Sequence, residues 1–234
     1  MRYLPSLNPG YLTDLIDILA KIKAGPLFGP TLPPEAYTPI NLSKENPELQ
    51  GVELGDPKAC QGYIDKVLNW NKATIAYGGY LEQRNLYSGN AAFETGEERR
   101  DVHLGVDYWT KAGTKVLTPL DGEIHSFKNN AVKGDYGPTI ILKHTEDGFI
   151  FYSLYGHLSL ESLTGLYVGK QFKKGEVLAS LGTPEENVNY APHLHFQLIL
   201  NLHGKQGDYL GVCRKSEVQF YKNNCPDPNL LFSL

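Results

Sequence analysis

The sequence has little cysteine, no cysteine pair at motif spacing and no long apolar run. Cys60, Cys213 and Cys225 are odd in number and widely spaced, so buried or free reduced thiols are the favoured interpretation. A Cys213–Cys225 bridge would need an oxidising compartment, which no other feature indicates. No stretch approaches the ~20 consecutive apolar residues that a membrane-spanning helix needs, so no membrane span is predicted.

Basic blocks and a recognisable leader are also missing. The net charge is −4 and no run or stripe of Lys and Arg occurs, which argues against nucleic acid as a partner. Asp14, Asp17 and Lys21 interrupt the stretch that would have to form the apolar part of a signal peptide. The chain as given is therefore expected to be cytoplasmic, or periplasmic or extracellular if it is processed from a precursor. No pattern predicts its oligomeric state.

Two kinds of pattern follow one another along the 234 residues. Residues 11–23 have apolar side chains at helical spacing, residues 25–60 are rich in Pro and Gly, and a second short helix is predicted around 63–70. From residue 101 onward, apolar and polar residues alternate with period two between turn signals. We therefore predict a helical and irregular extension over 1–95, a mainly β domain over 96–215 that forms an antiparallel sandwich or barrel-like structure, and a C-terminal tail over 216–234.

The run "YAPHLHFQLIL", residues 190–200, has a strand pattern with an unusual polar face. Because alternate side chains of a strand point the same way, His193, His195 and Gln197 share one face and the apolar residues share the other. The apolar face predicts burial in a core. Two imidazoles on the polar face need partners.

The run "DVHLGVDYW", residues 101–109, offers such partners. Read as one strand, it places His103 and Asp107 on the same face, and Gly105 between them leaves space. If this strand and the HxH strand are neighbours in one sheet, His103, Asp107 and His195 can converge. Two neutral imidazoles and one carboxylate suit a single Zn²⁺ ion, with the fourth tetrahedral position left for water.

Two further histidines are candidates for catalysis. His193 is too close to His195 for both to bind one metal easily, but it would lie beside the water in the open position. His157 ends the strand pattern "FIFYSLYGH", where a side chain projects into a cleft. The two histidines could share general acid–base work and stabilisation of an oxyanion, and their roles could be exchanged.

Together these motifs closely resemble the lysostaphin/LytM-type zinc metallopeptidases over about residues 100–200. The matching features are His103-x-x-x-Asp107, Gly156-His157, His193-x-His195 and the glycine-punctuated strands "GTKVLTPLDGEI" and "VGKQFKKGEVLASLG". The resemblance implies an open groove and zinc ligands at the first His, the Asp and the second His of HxH. It also implies catalytic roles for the other two histidines, and a peptide or muropeptide substrate.

The sequence departs from the family at several places. The family usually carries Glu where this chain has Gln197, and the loop "GTPEENVNYAP" differs from the family pattern, so cleavage of oligoglycine cross-links does not follow. One alternative is a non-catalytic metal- or peptide-binding adaptor of the same fold. A swinging-arm carrier is disfavoured, because the single Met is at position 1 and no lysine lies at a hairpin tip.

The remaining polar and aromatic candidates have ordinary explanations. His125, His144 and His203 lack a partner motif, so structural or surface roles are expected. Arg99 and Arg100 are expected in a solvated turn, with contact to an acidic group of the substrate as the alternative. Tyr190 is a weaker candidate for the wall of the groove.

Overall fold

The computed structural model describes residues 9–30, 32–85 and 98–232, without the side chains of residues 9–12, 14 and 15. The predicted boundary at 95/96 lies outside these ranges. The helices are α1 (Pro9–Lys21), α2 (Pro57–Asn71) and α3 (Val218–Asn224). The strands are β1 (Phe28–Gly29), β2 (Tyr37–Pro39), β3 (Ile75–Gly78), β4 (Arg100–His103), β5 (Val106–Trp109), β6 (Lys115–Leu117), β7 (Gly122–Asn130), β8 (Gly137–Glu146), β9 (Phe149–Gly156), β10 (Gln171–Phe172), β11 (Val177–Ser180), β12 (His193–Ile199) and β13 (Val212–Arg214).

One large sheet organises the molecule. Its eight strands run in the order β10-β7-β8-β9-β12-β5-β3-β2, and a three-stranded sheet, β1-β6-β11, lies apart from it. The predicted mainly β fold is confirmed. The described strands do not close into a barrel, and the β2–β3 pair is parallel, so the large sheet is mixed rather than purely antiparallel.

The core lies on the apolar face of the central strands. In β12, Leu194, Phe196 and Leu198 are fully buried and belong to the largest apolar cluster, as their alternation predicts. Leu19 of α1 is buried in the same cluster, so the last turn of this helix packs against the sheet domain. Burial of one face of β12 leaves its polar face to form the site.

The segment before residue 98 contributes strands as well as helices. β2 and β3 extend the large sheet beside β5, and β3 pairs with β5 through Gly78 opposite Asp107. α2 begins at Pro57, earlier than the predicted start near residue 63, because Asp56 caps it by accepting hydrogen bonds from the backbone N–H groups of Lys58 and Ala59.

The C-terminal residues and the cysteines are packed rather than loose. The predicted tail includes α3, and Cys225 just after it is fully buried. All three cysteines are buried and free, so the favoured reduced state is the one observed and Cys213 and Cys225 are not bridged. No helix in the described ranges combines the length and the apolar character needed to cross a bilayer.

Candidate metal centre

The register of the large sheet places the candidate residues in one row. β12 lies between β9 and β5, with His195 opposite Asp107 on one side and Gly156 on the other. His157 follows immediately after Gly156, at the end of β9. The prediction that the HxH strand and the strand of Asp107 are neighbours is therefore confirmed.

The prediction that residues 101–109 form one strand is wrong. The chain changes sheets at Leu104 and Gly105: β4 pairs with β13, whereas β5 pairs with β12 and β3. A Cβ atom on Gly105 would lie 2.8 Å from Cε1 and 2.9 Å from Nε2 of His195, so the imidazole occupies the space that the missing side chain leaves. The break, rather than strand alternation, directs His103 toward Asp107.

Three side-chain atoms converge at this point. Nε2 of His103 lies 3.3 Å from Oδ1 of Asp107 and 2.9 Å from Nδ1 of His195, and the last two atoms are 3.1 Å apart. All three residues are buried. Ligands about 2.0–2.1 Å from a tetrahedral metal ion lie about 3.3 Å from one another, so the three atoms have the spacing of three corners of such a site.

The protons of the two imidazoles are directed away from the common centre. Nδ1 of His103 lies 2.9 Å from the carbonyl oxygen of Gly79, and Nε2 of His195 lies 2.9 Å from Oε1 of Gln197. Since both oxygens can only accept, these nitrogens carry the protons in neutral rings. Three lone pairs therefore face one another, an arrangement that a cation would stabilise. The residues fit a metal ion.

The charges of the site agree with this arrangement. Burial lowers the pKa of His103 to about 4, so its imidazole is neutral at pH 7. Burial by itself would raise the pKa of Asp107, but electrostatic interactions, including that with the guanidinium of Arg84, outweigh it and hold that pKa well below its ordinary value. Neutral imidazole and ionised carboxylate are the forms that bind metals.

His193 and His157 stand together next to the three converging groups. Their ring centroids are 4.1 Å apart, and Nε2 of His193 lies 3.9 Å from Oδ1 of Asp107. Nδ1 of His193 donates to the carbonyl oxygen of Ala191 at 2.7 Å, which leaves Nε2 as an acceptor. Burial lowers the pKa of both histidines, and Nδ1 of His157 is buried without a hydrogen-bond partner.

A cleft of about 270 Å³ opens onto these groups. Arg100 and Tyr190, both named from the sequence as residues that could face a substrate, line it. Its other walls are provided mainly by two stretches, 132–136 and 208–212. The side chains Lys133, Asp135 and Asp208 give the walls charges of both signs.

Three neighbours of the site were missed by sequence reasoning. Arg84 donates from Nη1 to Oδ2 of Asp107 at 2.5 Å, Trp109 stacks on the ring of His193 with centroids 5.6 Å apart, and the hydroxyl of Tyr136 lies 3.4 Å from Nε2 of His195. Trp109 had a usable signal, because it lies two residues after Asp107 on the same strand face. Arg84 and Tyr136 reach the site only through tertiary packing.

The histidines without a partner motif lie outside this cluster. The side chain of His125 forms a hydrogen bond with that of Ser126, and the side chain of His144 forms one with that of Ser153. His203 stacks on the ring of Phe220. Arg99 does not line the cleft, whereas Arg100 does.

The segment that carries these residues is similar to a known family. Residues 101–209, which contain all five candidate residues, match the family model for "Peptidase family M23". This segment, called the M23 domain below, is similar to the proteins of that family. The resemblance to lysostaphin and LytM-type enzymes is thereby confirmed for the segment. The M23 domain includes β5, β9 and β12, the strands that provide Asp107, His157 and the HxH pair.

Curated relatives match less than half of the chain. An "uncharacterized metalloprotease" of Haemophilus influenzae is 33% identical over 99 residues, which are 42% of this chain and 19% of that protein. A "DD-carboxypeptidase/endopeptidase Mpg" of Neisseria meningitidis is 33% identical over 100 residues, 43% of this chain and 20% of that protein. The chain thus spans about a fifth of the length of these relatives.

Solved structures with similarity to the chain include two peptidases. The catalytic domain of lysostaphin from Staphylococcus simulans is 24% identical, with a TM-score of 0.40, over 66% of this chain and 96% of that domain. A zinc-containing peptidase from Vibrio cholerae is 24% identical, with a TM-score of 0.35, over 43% of this chain and 28% of that protein.

Proposed function

We propose that this protein is a zinc-dependent metallopeptidase that hydrolyses peptide bonds with an activated water molecule. The observation that carries the proposal is the convergence of three unprotonated lone pairs, from His103, Asp107 and His195, beside an unprotonated nitrogen of His193. The M23 domain and the metallopeptidase names among its relatives support the same activity.

The donor set favours one zinc ion. Two imidazole nitrogens and one carboxylate oxygen are typical ligands of catalytic zinc, and three protein ligands leave a fourth position open. Bound zinc would lower the pKa of its water toward ~7 and polarise the scissile carbonyl. His103, Asp107 and His195 are the proposed ligands, through Nε2, Oδ1 and Nδ1 respectively.

The two remaining histidines are the proposed groups for proton transfer and charge stabilisation. Nε2 of His193 is a free acceptor on the side of Asp107, so His193 is the proposed base that takes the proton of the attacking water. His157 lies against His193 and lines the cleft, and it is proposed to stabilise the oxyanion. Trp109 stacks on His193 and fixes the plane of its ring.

The proposed substrate is a peptide of the peptidoglycan type. Relatives named DD-carboxypeptidase/endopeptidase support this class, and the cleft has walls that are apolar in part and carry charges of both signs. Gln197 and the loop over residues 182–192 differ from the family pattern, so oligoglycine is not assumed to be the preferred sequence.

Metal content and hydrolysis of a His193→Ala variant test the proposal. We expect wild type to contain about one zinc per chain and His193→Ala to retain it, while the rate of peptide hydrolysis falls about 10²–10⁴-fold because the base is lost. Zinc is measured by elemental analysis, and muropeptides and glycine-rich peptides are screened by mass spectrometry. His125→Ala, a histidine outside the cluster, is the matched control and keeps full activity.

Two results would contradict the proposal. A wild-type protein without bound zinc after exposure to the metal would remove the proposed centre. Zinc-loaded wild type that binds peptides but leaves every one intact would identify the non-catalytic adaptor instead.

A further inference from the structure

The segment 78–84, which precedes the M23 domain, lies directly behind two of the three proposed ligands. The carbonyl oxygen of Gly79 accepts from Nδ1 of His103 at 2.9 Å, and Nη1 of Arg84 donates to Oδ2 of Asp107 at 2.5 Å. The match to the family begins at residue 101, so these two contacts come from a part of the chain that the family pattern does not include.

Backbone hydrogen bonds fix this segment against β4. The N–H of Leu81 donates to the carbonyl of His103 at 2.9 Å, and the N–H of His103 donates to the carbonyl of Glu82 at 3.0 Å. The N–H of Arg84 in turn donates to the carbonyl of Asp101 at 2.9 Å. The segment therefore sets the position of the His103 backbone as well as that of its ring.

Several contacts hold the side chain of Arg84 in place. Its side chain is 0% exposed, its Nε donates to Oε2 of Glu82 at 2.5 Å, and its guanidinium lies 5.4 Å from the centroid of the Trp109 ring. A Cβ atom on Gly79 would lie 1.7 Å from Nη2 of Arg84, so the guanidinium requires a glycine at that position. Lysine would not reproduce both contacts, since its single ammonium nitrogen cannot occupy the positions of Nε and Nη1 at once.

The contact to Asp107 determines which carboxylate oxygen is available. Oδ2 accepts from Arg84, whereas Oδ1 is the oxygen that lies 3.1–3.3 Å from the two imidazole nitrogens. An aspartate without this partner could rotate or bind through both oxygens. The positive charge of Arg84 would by itself oppose a cation, but Glu82 offsets it at 2.5 Å. The remaining effect of Arg84 is on orientation.

We propose that Arg84 is a positioning residue of the metal centre: it holds Oδ2 of Asp107 so that Oδ1 faces the metal, and Glu82 balances its charge. This inference rests on the proposed function, because it takes Asp107 to be a metal ligand. It also assigns the segment 78–84 to the working site rather than to a separate extension.

The decisive variant is the double substitution Glu82→Gln/Arg84→Met in the full chain. It removes one charge of each sign, so the net charge stays the same while Oδ2 of Asp107 loses its donor. We expect its zinc dissociation constant, measured by competition with a chromophoric chelator, to rise about 10–100-fold, as for other groups that orient metal ligands. The visible spectrum of the Co²⁺-substituted protein should change with it. The single variant Arg84→Lys should bind zinc with an intermediate affinity.

The matched control removes an exposed ion pair from the same part of the chain. Lys66 and Glu48 are 64% and 57% exposed in their side chains, so Glu48→Gln/Lys66→Met should leave zinc affinity and the Co²⁺ spectrum unchanged. Circular dichroism of each apo variant establishes that it is folded, and Arg84→Lys serves if the double variant is not.

The outcomes separate the inference from the function on which it rests. Folded variants of Arg84 with the wild-type zinc affinity and Co²⁺ spectrum would overturn the positioning role and leave the metal centre intact. A wild-type chain that binds no zinc would overturn the proposed metal centre, and the inference with it.

Discussion

Gly105→Ala tests the metal centre with a single added methyl group. The backbone of Gly105 is not in the left-handed region, so alanine is strained there only by lack of space. Its Cβ would lie 2.7 Å from the carbonyl oxygen of Phe196 and 2.8 Å from Cε1 of His195. Carbon atoms in contact are normally ~3.5 Å apart, so the His195 ring has to move by about 0.7 Å.

A displacement of this size exceeds what a metal centre tolerates. Metal–ligand distances are confined to within ~0.2 Å of their usual values, so Nδ1 of His195 would leave its ligand position. We expect zinc to bind at least about tenfold more weakly, by comparison with the 10–100-fold effect of losing a ligand's support. Crowding of a packed interior should lower the free energy of unfolding of the apo protein by about 1–3 kcal/mol.

Chelator competition measures the zinc affinity, and urea denaturation in EDTA measures the stability without the contribution of bound metal. Gly62→Ala is the control: Gly62 lies in α2 with no atom within 4 Å of an added Cβ, so alanine there should stabilise the helix by about 0.5–1 kcal/mol. Wild-type zinc affinity and an unchanged urea midpoint for Gly105→Ala would refute the confinement of His195 by the chain at Gly105.

Two further predictions concern buried polar groups. Burial lowers the pKa of His144 in the folded state to about 4, whereas the unfolded side chain titrates near ~6.5. Between these two pH values the unfolded state binds a proton that the folded state does not. The free energy of unfolding therefore falls as the pH falls, by up to about 3 kcal/mol. His144→Gln should therefore reduce the slope of unfolding free energy against pH between pH 4 and 6.5, to which the other buried histidines also contribute. An unchanged slope would contradict the contribution of His144. Gln197→Glu introduces the usual family residue. It places a carboxylate oxygen, which cannot donate, where the amide nitrogen of Gln197 donates to the carbonyl oxygen of Leu210 at 3.1 Å. The free energy of unfolding, measured in urea, should therefore fall by about 1–3 kcal/mol. Equal or greater stability of that variant would mean that the pocket adapts to the charge.

The candidate site was predicted from local patterns because each pattern specifies a direction in space. Alternation in residues 193–199 is enough to separate the polar face of His193 and His195 from the apolar face of the same strand. The spacing of His103, Gly105 and Asp107 indicated a second group of ligands with room between them, although the assumed single strand was wrong. The predicted convergence of His103 with Asp107 was nevertheless correct, because the break at Gly105 directs His103 toward Asp107.

The partners behind the site could not be predicted in this way. Arg84 is separated from Asp107 by 23 residues and lies in a stretch without any clear period, so no local pattern marks it as a neighbour of the metal centre. The pairing of β3 with β5, which brings that stretch to the strand of Asp107, depends on contacts between residues that are about 30 positions apart. Such pairings follow from the packing of the whole sheet rather than from the propensity of either segment.

The amino-acid sequence by itself determined the type of fold, the five residues of the proposed site and the family that residues 101–209 resemble. Tertiary structure decided which atoms of those residues meet, which imidazole nitrogens carry protons, and which neighbours hold them. The physical reason is that periodicity fixes the face on which a side chain lies, whereas the proton positions and the orientation of a carboxylate depend on hydrogen-bond partners that only the folded chain brings near. Gly79, Arg84 and Gln197 are those partners here.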